Sequence, residues 1–493
     1  MVADEDVRDR RFDHWTVDRD PIRTGDHRFL ASRSQLWKQR GPCYRRRWNR
    51  DGHRRDDRDT DCLRRLRAYR RCICGFDLQP LCNDRGRHRG RGGTDRLSER
   101  YKIGDRLEVE VVKIIPNGLG LCFAEKLTLF VPLSAPGDRL VVEIADLRGR
   151  TAFAKILKVL EESPERSAPE CRYFGECGGC DFQHLTYEAQ LGAKLEIIRD
   201  CLKRIAKIEE EPEISIVPCP EPYGYRLRTQ VHADPHSKEI GFYKRQSHDV
   251  IEAESCPILV PGLDETIADI RSSFDWSNTS LGTINIEAGF AGGKASVYSE
   301  EIFQTVNELE FEASGFRYGF DARSFFQANK FMVGPLIEEA VRGHSGDLAI
   351  DLYCGIGLFT LPLARSFGSV IGVESSMPSF RFAEKNAQTA GLENAVFVNS
   401  RVKRFLQAEP EKLSDADLVL VDPPRSGVKG AALKMIANAA PKRITYVSCD
   451  PSTLARDVRL LIDNGYEIDR FTAVDLFPQT HHVEAVVHLS IDS

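Results

Sequence analysis

Across its 493 residues the sequence contains no apolar run near the roughly 18 residues that a membrane-spanning helix requires, so no membrane span is expected. Its first residues, Met1-Val2-Ala3-Asp4-Glu5-Asp6-Val7-Arg8, lack the charged-then-apolar plan of a signal peptide, and a cytoplasmic protein is expected. In that compartment the 14 cysteines do not read as a disulfide scaffold; metal ligands or catalytic thiols suit them better. No internal repeat is evident, which argues against a solenoid or propeller. Lysine is almost missing from residues 1–100, where 26 of 27 cations are Arg, set against 17 Asp and Glu. That part is therefore near +10, and the remainder near −15, within an overall charge of −5. Runs such as Arg45-Arg46-Arg47 and Arg85-Gly86-Arg87-His88-Arg89 have neither helical nor strand period. They fit a disordered RNA-binding arm, or a stretch read from a wrongly chosen start site. Cys72, Cys74 and Cys82 lie there and suggest no metal site.

Patterned sequence begins near Tyr101. Leu107–Val112, Gly120–Phe123, Thr128–Pro132, Leu140–Ile144 and Ala152–Ile156 are short apolar-alternating runs separated by turn signals such as Pro116-Asn117-Gly118. Five short strands at this spacing predict a small OB-like barrel over 101–162. The Pro-bearing linker from Ser163 to Pro169 opens a mixed α+β region, 163–325, with helical apolar spacing from Ala189 to Ile208. Beyond it, 326–493 alternates strands with helices. The strands are Ala349–Leu352, Val370–Glu374, Ala395–Val398, Leu418–Asp422 and Ile444–Val447, with a helix over Ser379–Ala390 among the intervening segments. This predicts a doubly wound, Rossmann-like α/β sheet.

Chemistry concentrates at the ends of those strands, where open α/β sheets keep their sites. Asp351-Leu352-Tyr353-Cys354-Gly355-Ile356-Gly357 joins the first strand to a helix, and its glycines let a ligand approach the backbone. Glu374 ends the next strand, where an acid can take ribose hydroxyls. The third glycine of a Gly-x-Gly-x-x-Gly fingerprint is missing. That argues against a pyrophosphate-bearing dinucleotide and suits S-adenosylmethionine. Asp422-Pro423-Pro424-Arg425 ends the fourth strand, its prolines fixing the direction of the turn. The fifth runs into Ser448-Cys449-Asp450-Pro451, which presents Cys449 as a candidate nucleophile, with Ser452 or Thr453 as the cap of the next helix. A lone Cys is more often a small buried apolar residue, and only its company argues otherwise. Glu484, between Val483 and Ala485-Val486, is an acid in apolar surroundings, where burial would raise its pKa toward that of a general base. His481 and His482 beside it could face RNA or simply solvent. Cys171, Cys177 and Cys180 cluster, with Cys256 about 75 residues on. A second Cys-x2–4-Cys knuckle is absent, which favours a [4Fe–4S] cluster over structural zinc. Cys201 and Cys219 are rival fourth ligands.

Taken together these motifs resemble the RNA 5-methyluridine methyltransferases, the uridine-C5 enzymes of bacterial 23S ribosomal RNA and of tRNA. The likeness runs over about residues 101–493 and includes Cys177-Gly178-Gly179-Cys180-Asp181-Phe182-Gln183-His184-Leu185, Ser324-Phe325-Phe326-Gln327-Ala328-Asn329 and His481-His482-Val483-Glu484. Residues 1–100 have no counterpart in it. The resemblance implies a TRAM barrel, a cluster-bearing central domain and a methyltransferase domain. It implies Cys449 as the nucleophile toward carbon 6 of uracil and Glu484 as the base. Gln327, Tyr353, Glu374 and Asp422 would contact the methyl donor, and Cys171, Cys177, Cys180 and Cys256 would hold the cluster. Expected partners are 23S rRNA or tRNA, with Arg226, Arg228, Lys244 and Arg245 as an RNA path on an otherwise acidic, monomeric body. Cytosine-C5 methylation and a non-enzymatic, redox-responsive RNA-binding role are the competing readings.

Overall fold

The structure, a computed structural model, describes residues 101–279, 282–301 and 306–491; the expectations for residues 1–100 lie outside them. Five strands come first: β1 (Arg106–Ile115), β2 (Leu119–Ala124), β3 (Leu127–Pro132), β4 (Arg139–Arg148) and β5 (Thr151–Glu161). They close into a barrel in the order β1-β2-β3-β5-β4. Val109 and Val111 of β1 point inward with Leu129, Val131, Leu140, Val142 and Ala152, while Glu108 and Glu110 stay outside. Val112 continues the outward row and is exposed, at a bulge that shifts the β1–β2 pairing between Val111 and Lys113.

Helix α1 (Tyr187–Cys201) follows, capped by the Thr186 hydroxyl on the Ala189 N–H. It gives way to a π-helical turn, Leu202–Ala206, so the helical spacing that reaches Ile208 in sequence is not one continuous α-helix. Next come β6 (Ile214–Val217), β7 (Arg228–Asp234), β8 (Glu239–Tyr243), β9 (Val250–Ile251), α2 (Pro261–Ser273), β10 (Ile284–Ala291), β11 (Lys294–Tyr298), β12 (Leu309–Ala313), β13 (Phe316–Phe320) and α3 (Val333–Val341). Strands β11-β10-β7-β8-β9 form one sheet and β12-β13 a hairpin.

The last third supplies β14 (Gly346–Leu352), β15 (Phe367–Glu374), α4 (Met377–Thr389), β16 (Ala395–Asn399), α5 (Val402–Ala408), β17 (Leu418–Val421), α6 (Gly430–Ala439), β18 (Arg443–Ser448), α7 (Pro451–Asp463), β19 (Glu467–Val474) and β20 (Glu484–Ser490). They build an eight-stranded sheet, β16-β15-β14-β17-β18-β20-β19-β6, whose last member comes from the segment before β7. The five strands read from sequence are parallel neighbours, and β20 then pairs antiparallel with both β18 and β19. Side chains alternate across this sheet. Ala349, Val370, Leu420, Val447 and Val486 share one core with residues of β7, β10 and α3; Ile350, Ile371, Val421, Tyr446 and Val487 share the other with α1, α5, α6 and α7. The cap of α7 is Asp450, whose carboxylate accepts from the Thr453 N–H at 2.8 Å. Ser452 and Thr453 lie inside the helix, because Pro451 takes its first position and pushes the cap back one residue.

At the far end from the strand tips, His344 Nε2 and His488 Nδ1 are 2.8 Å apart, and Thr445 Oγ1 lies 3.0 Å and 3.1 Å from them. His488 Nε2 faces the Glu339 carbonyl at 2.9 Å and must donate there; in the neutral ring Nδ1 is then the acceptor. Burial, then the neighbouring His488, holds His344 down to about 4, and burial also lowers His488. An unfolded chain takes up these protons near pH 6.5 and the folded one does not, so stability must fall as pH drops from about 6.5 toward 4. The urea midpoint is expected to be lower at pH 5 than at pH 7.5, with a smaller drop in His344→Gln. An equal drop in that variant would remove the His pair from the explanation.

Candidate active site

Period-two geometry gathers the site. Asp351, Glu374 and Asp422 lie an even number of residues from Ala349, Val370 and Leu420, and Cys449 and Glu484 stand two from Val447 and Val486. All five therefore belong to the sheet face that packs toward β7, β10 and α3. In the order β15-β14-β17-β18-β20 they form a row along one edge, four acids and a thiol. Ser448 with Ala485 is the last pair of the β18–β20 ladder, so Cys449 and Glu484 flank its end, near enough for the carboxyl to act on the thiol. The thiol is pinned on both sides: the Asp450 N–H donates to the Ser448 hydroxyl at 3.2 Å, and Asp450 caps α7.

Glu484 is 3% exposed. Burial, then the Asp422 carboxylate, pushes its carboxyl well above the ordinary range, and the Arg425 guanidinium opposes them. Burial, then Asp351, brings Asp422 up to about 7, and burial brings Asp351 up to about 7 as well. The Cys449 thiol is pushed up to about 12, first by burial, then by Glu484; Arg425 again acts the other way. Arg425, which follows the two prolines, is the cation that acts on both Glu484 and Cys449, and nothing in its sequence context marks it for that place. Burial thus favours the protonated forms of Glu484 and Cys449. A positive charge placed beside them acts in the opposite sense, favouring the carboxylate and the thiolate.

The loop after β14 is shaped for close approach. Tyr353, Gly355 and Gly357 all have positive φ (67°, 57° and 86°), and at Tyr353 this is a strained conformation for a side-chain-bearing residue. A Cβ on Gly357 would come within 2.8 Å of Leu361 Cδ1. Glu374 accepts from the Gly355 N–H at 3.1 Å, so its first task is to hold this loop. The Thr360 hydroxyl donates to Asp351 Oδ2 at 2.5 Å, while the buried Oδ1 has no partner. Gln327 is 4% exposed, in the extended segment between β13 and α3. That segment is tied down by the Leu227 N–H on the Ala328 carbonyl at 2.7 Å and by Asn329 Nδ2 on the Leu476 carbonyl at 3.1 Å. Phe325, two residues earlier, is 62% exposed, with the Arg228 guanidinium 5.6 Å from its ring centre.

Cys171, Cys177, Cys180 and Cys256 line a single cavity of about 400 Å³. Cys201 instead faces the Ser452 hydroxyl at 3.7 Å, and Cys219 the Asn329 amide at 3.3 Å. Neither rival ligand lines the cavity. A Cβ on Gly178 would press to 3.1 Å from the Tyr243 carbonyl, so the Cys-Gly-Gly-Cys turn needs its glycine to pack against β8. Among the described residues no group of three or more His, Cys, Asp or Glu stands ready to hold a single metal ion. The cations expected as an RNA path are engaged within the protein: Arg228 with Glu287 at 3.7 Å, Lys244 with Glu176 at 3.0 Å, Arg245 with Asp181 at 2.9 Å, and Arg226 Nε with the Arg228 carbonyl at 3.0 Å.

The family profile described as tRNA (Uracil-5-)-methyltransferase matches residues 283–491. A 23S rRNA (uracil(1939)-C(5))-methyltransferase RlmD from an Enterobacter species is 30% identical over 420 residues, covering 77% of this chain and 95% of the relative. An uncharacterized RNA methyltransferase of Halalkalibacterium halodurans is 30% identical over 452 residues, covering 78% of this chain and 97% of its own length. The chain belongs to the RNA uracil-C5 methyltransferases. It is an S-adenosylmethionine-dependent enzyme that methylates carbon 5 of uracil in RNA. Among solved structures, the Pyrococcus abyssi tRNA (uracil-54, C5)-methyltransferase in complex with S-adenosyl-L-homocysteine shares the mixed α/β methyltransferase fold. It matches at 25% identity and a TM-score of 0.60, covering 77% of this chain and all of that one.

Proposed function

We propose that this uracil-C5 methyltransferase acts on 23S rRNA through a covalent adduct between Cys449 and carbon 6 of the target uracil, resolved by Glu484. The observation that supports this reading is the end of the β18–β20 ladder at Ser448 and Ala485, which leaves Cys449 and Glu484 as neighbours whose charges act on one another. Carbon 5 of uracil is a poor nucleophile. The Cys449 thiol gives up its proton to solvent, and addition of the thiolate to carbon 6 forms an S–C6 bond and drives the C5–C6 electron pair toward O4 as an enolate. S-adenosylmethionine supplies an electrophilic methyl on a positively charged sulfur. Once carbon 5 carries that methyl, Glu484 takes the carbon-5 proton, the C5–C6 double bond re-forms, and the S–C6 bond breaks to release Cys449 as thiolate. Arg425, whose charge favours the thiolate, supports both addition and release.

Gln327, the Tyr353–Gly357 loop, Glu374 and Asp422 would hold the donor, with Asp351 bracing the loop from beneath. The target base must leave its stack, and exposed Phe325 offers a ring against which a base can lie. The barrel is read as the TRAM domain and the cysteine cavity as a [4Fe–4S] site. Four thiols lining one cavity are the donor set that a cluster would take. Protein isolated without oxygen should contain about four irons and four sulfides per chain. Cys256→Ser should lose most of them, and full retention would remove Cys256 from the ligand set. The 23S assignment rests on relatives matched over nearly their whole length; the tRNA reading rests on the Pyrococcus structure. Labelled methyl transfer to RNA from cells lacking the protein, followed by mapping, separates the two: label confined to tRNA overturns the first.

A further inference from the structure

The segment after β19 re-enters the sheet at Glu484, and the cysteine-bearing segment touches it through a line of side chains outside the chemistry above. Asp181 follows Cys180 directly. Its Oδ2 is 2.6 Å from His481 Nδ1 and its Oδ1 accepts from Arg245 at 2.9 Å, while the same Arg245 donates to the Cys180 carbonyl at 2.5 Å. A carboxylate can only accept, so His481 must carry its hydrogen on Nδ1. The His481 and His482 rings lie 4.1 Å apart, centre to centre. His482 Nε2 in turn faces Arg425 Nη2 at 3.4 Å. Burial holds His482 well below the ordinary imidazole range, so its Nε2 is available to accept from the guanidinium. The β1–β2 turn closes over the start of this line: a Cβ on Gly118 would lie 3.2 Å from His481 Cβ and 3.3 Å from Asp181 Cβ.

We propose that Asp181 is a positioning residue for the methyl-transfer reaction: through His481 and His482 it aims the Arg425 guanidinium at Cys449, so that the cysteine-bearing segment helps set the reactivity of the nucleophile. This rests on the reading of Cys449 as the nucleophile. The charged groups acting on that thiol are Glu484 from β20, Asp422 and Arg425 from the segment after β17, and Asp450 from its own turn. Arg425 is the sole cation among them, so its orientation matters most. The loop backbone has separate anchors. Gln190 and Gln479 are joined by two hydrogen bonds of 2.9 Å and 3.0 Å, Lys194 binds Asp475 and the Phe477 carbonyl, and the Tyr225 hydroxyl donates to the Pro478 carbonyl at 2.9 Å. Removing the Asp181 charge therefore disturbs the side-chain line and leaves the loop in place.

The test uses the full chain with neither RNA nor donor, following iodoacetamide capture of Cys449 against pH by mass spectrometry of its peptide. Asp181→Asn is expected to slow capture near pH 8 about tenfold, and to lower kcat by a similar factor while KM for RNA stays put. Asp181→Glu should restore part of both. His482→Leu, remote from the cysteine cavity, should slow capture equally and answers for any loss of iron or stability in Asp181→Asn. Unchanged capture in both variants overturns the proposal. So does a raised KM for RNA with capture unchanged, which would make the histidines RNA contacts. Because capture needs no RNA, it stands apart from the functional reading, which fails instead if the wild-type protein methylates no uridine.

Discussion

Cys449→Ala is expected to abolish methyl transfer, lowering kcat by on the order of 10⁴-fold or more, and to eliminate the adduct that the wild-type protein forms with 5-fluorouridine RNA. The size follows from the chemistry: without S–C6 addition, carbon 5 has no enolate behind it, and no other described residue can replace the thiol. Cys354 is buried with its sulfur toward Gly355, Cys201 faces Ser452, and the cavity cysteines belong to another part of the fold. Alanine at 449 sits between Ser448 and the helix cap Asp450, both of which keep their bonds, so the thermal midpoint should hold. Fluorine at carbon 5 blocks proton removal and traps the adduct, which is read as a denaturant-resistant protein–RNA species. An undiminished adduct in Cys449→Ala would sink the assignment.

Glu484→Gln should fail at the opposite end of the cycle. The amide cannot take the carbon-5 proton, so addition and methylation proceed while elimination stalls. Turnover is expected to fall about 10²–10⁴-fold, the range for a lost general base. Meanwhile a covalent complex with ordinary, unfluorinated RNA accumulates, carrying label from the methyl donor. Glutamine keeps the shape of a side chain that burial and Asp422 already hold toward its protonated form, so the fold should be undisturbed. The double variant Cys449→Ala/Glu484→Gln should form no complex. Free turnover in Glu484→Gln would assign the base to another residue, with Asp422 the first to examine.

Much of this was legible in the residues because it is local. The five parallel strands announce themselves as apolar runs with Gly, Pro or acid at their ends, and Cys449, Asp422 and Glu374 fall at strand ends where those runs stop. Glu484 is different. Its apolar neighbours marked it as an acid in unusual company, but its place beside Cys449 depends on β20 running backward between β18 and β19, a pairing set by residues far apart in the chain. The same holds for Cys256. Spacing gathers Cys171, Cys177 and Cys180, whereas the choice among Cys201, Cys219 and Cys256 needs the folded chain. Arg226, Arg228, Lys244 and Arg245 have surroundings that spacing does not reveal. The carboxylates beside the last three, Glu287, Glu176 and Asp181, come from far along the chain. The cap of α7 turned on one residue: Ser452 and Thr453 are good caps, and Pro451 displaced them.

The antiparallel entry of β20 also fixes a dimension. Residues directly opposed on neighbouring antiparallel strands are about 4.5–5.5 Å apart at their α-carbons, whatever their side chains. Ser448 and Ala485 take that spacing from the ladder, and Cys449 and Glu484 each stand one residue beyond that last pair. The sheet thus acts as a ruler for the two adjacent ring atoms on which nucleophile and base must work. A ruler of this kind cannot be retuned gradually. Lengthening the 475–483 loop leaves the graduations alone, whereas a one-residue slip of β20 turns Glu484 to the opposite face and leaves the thiol without its base.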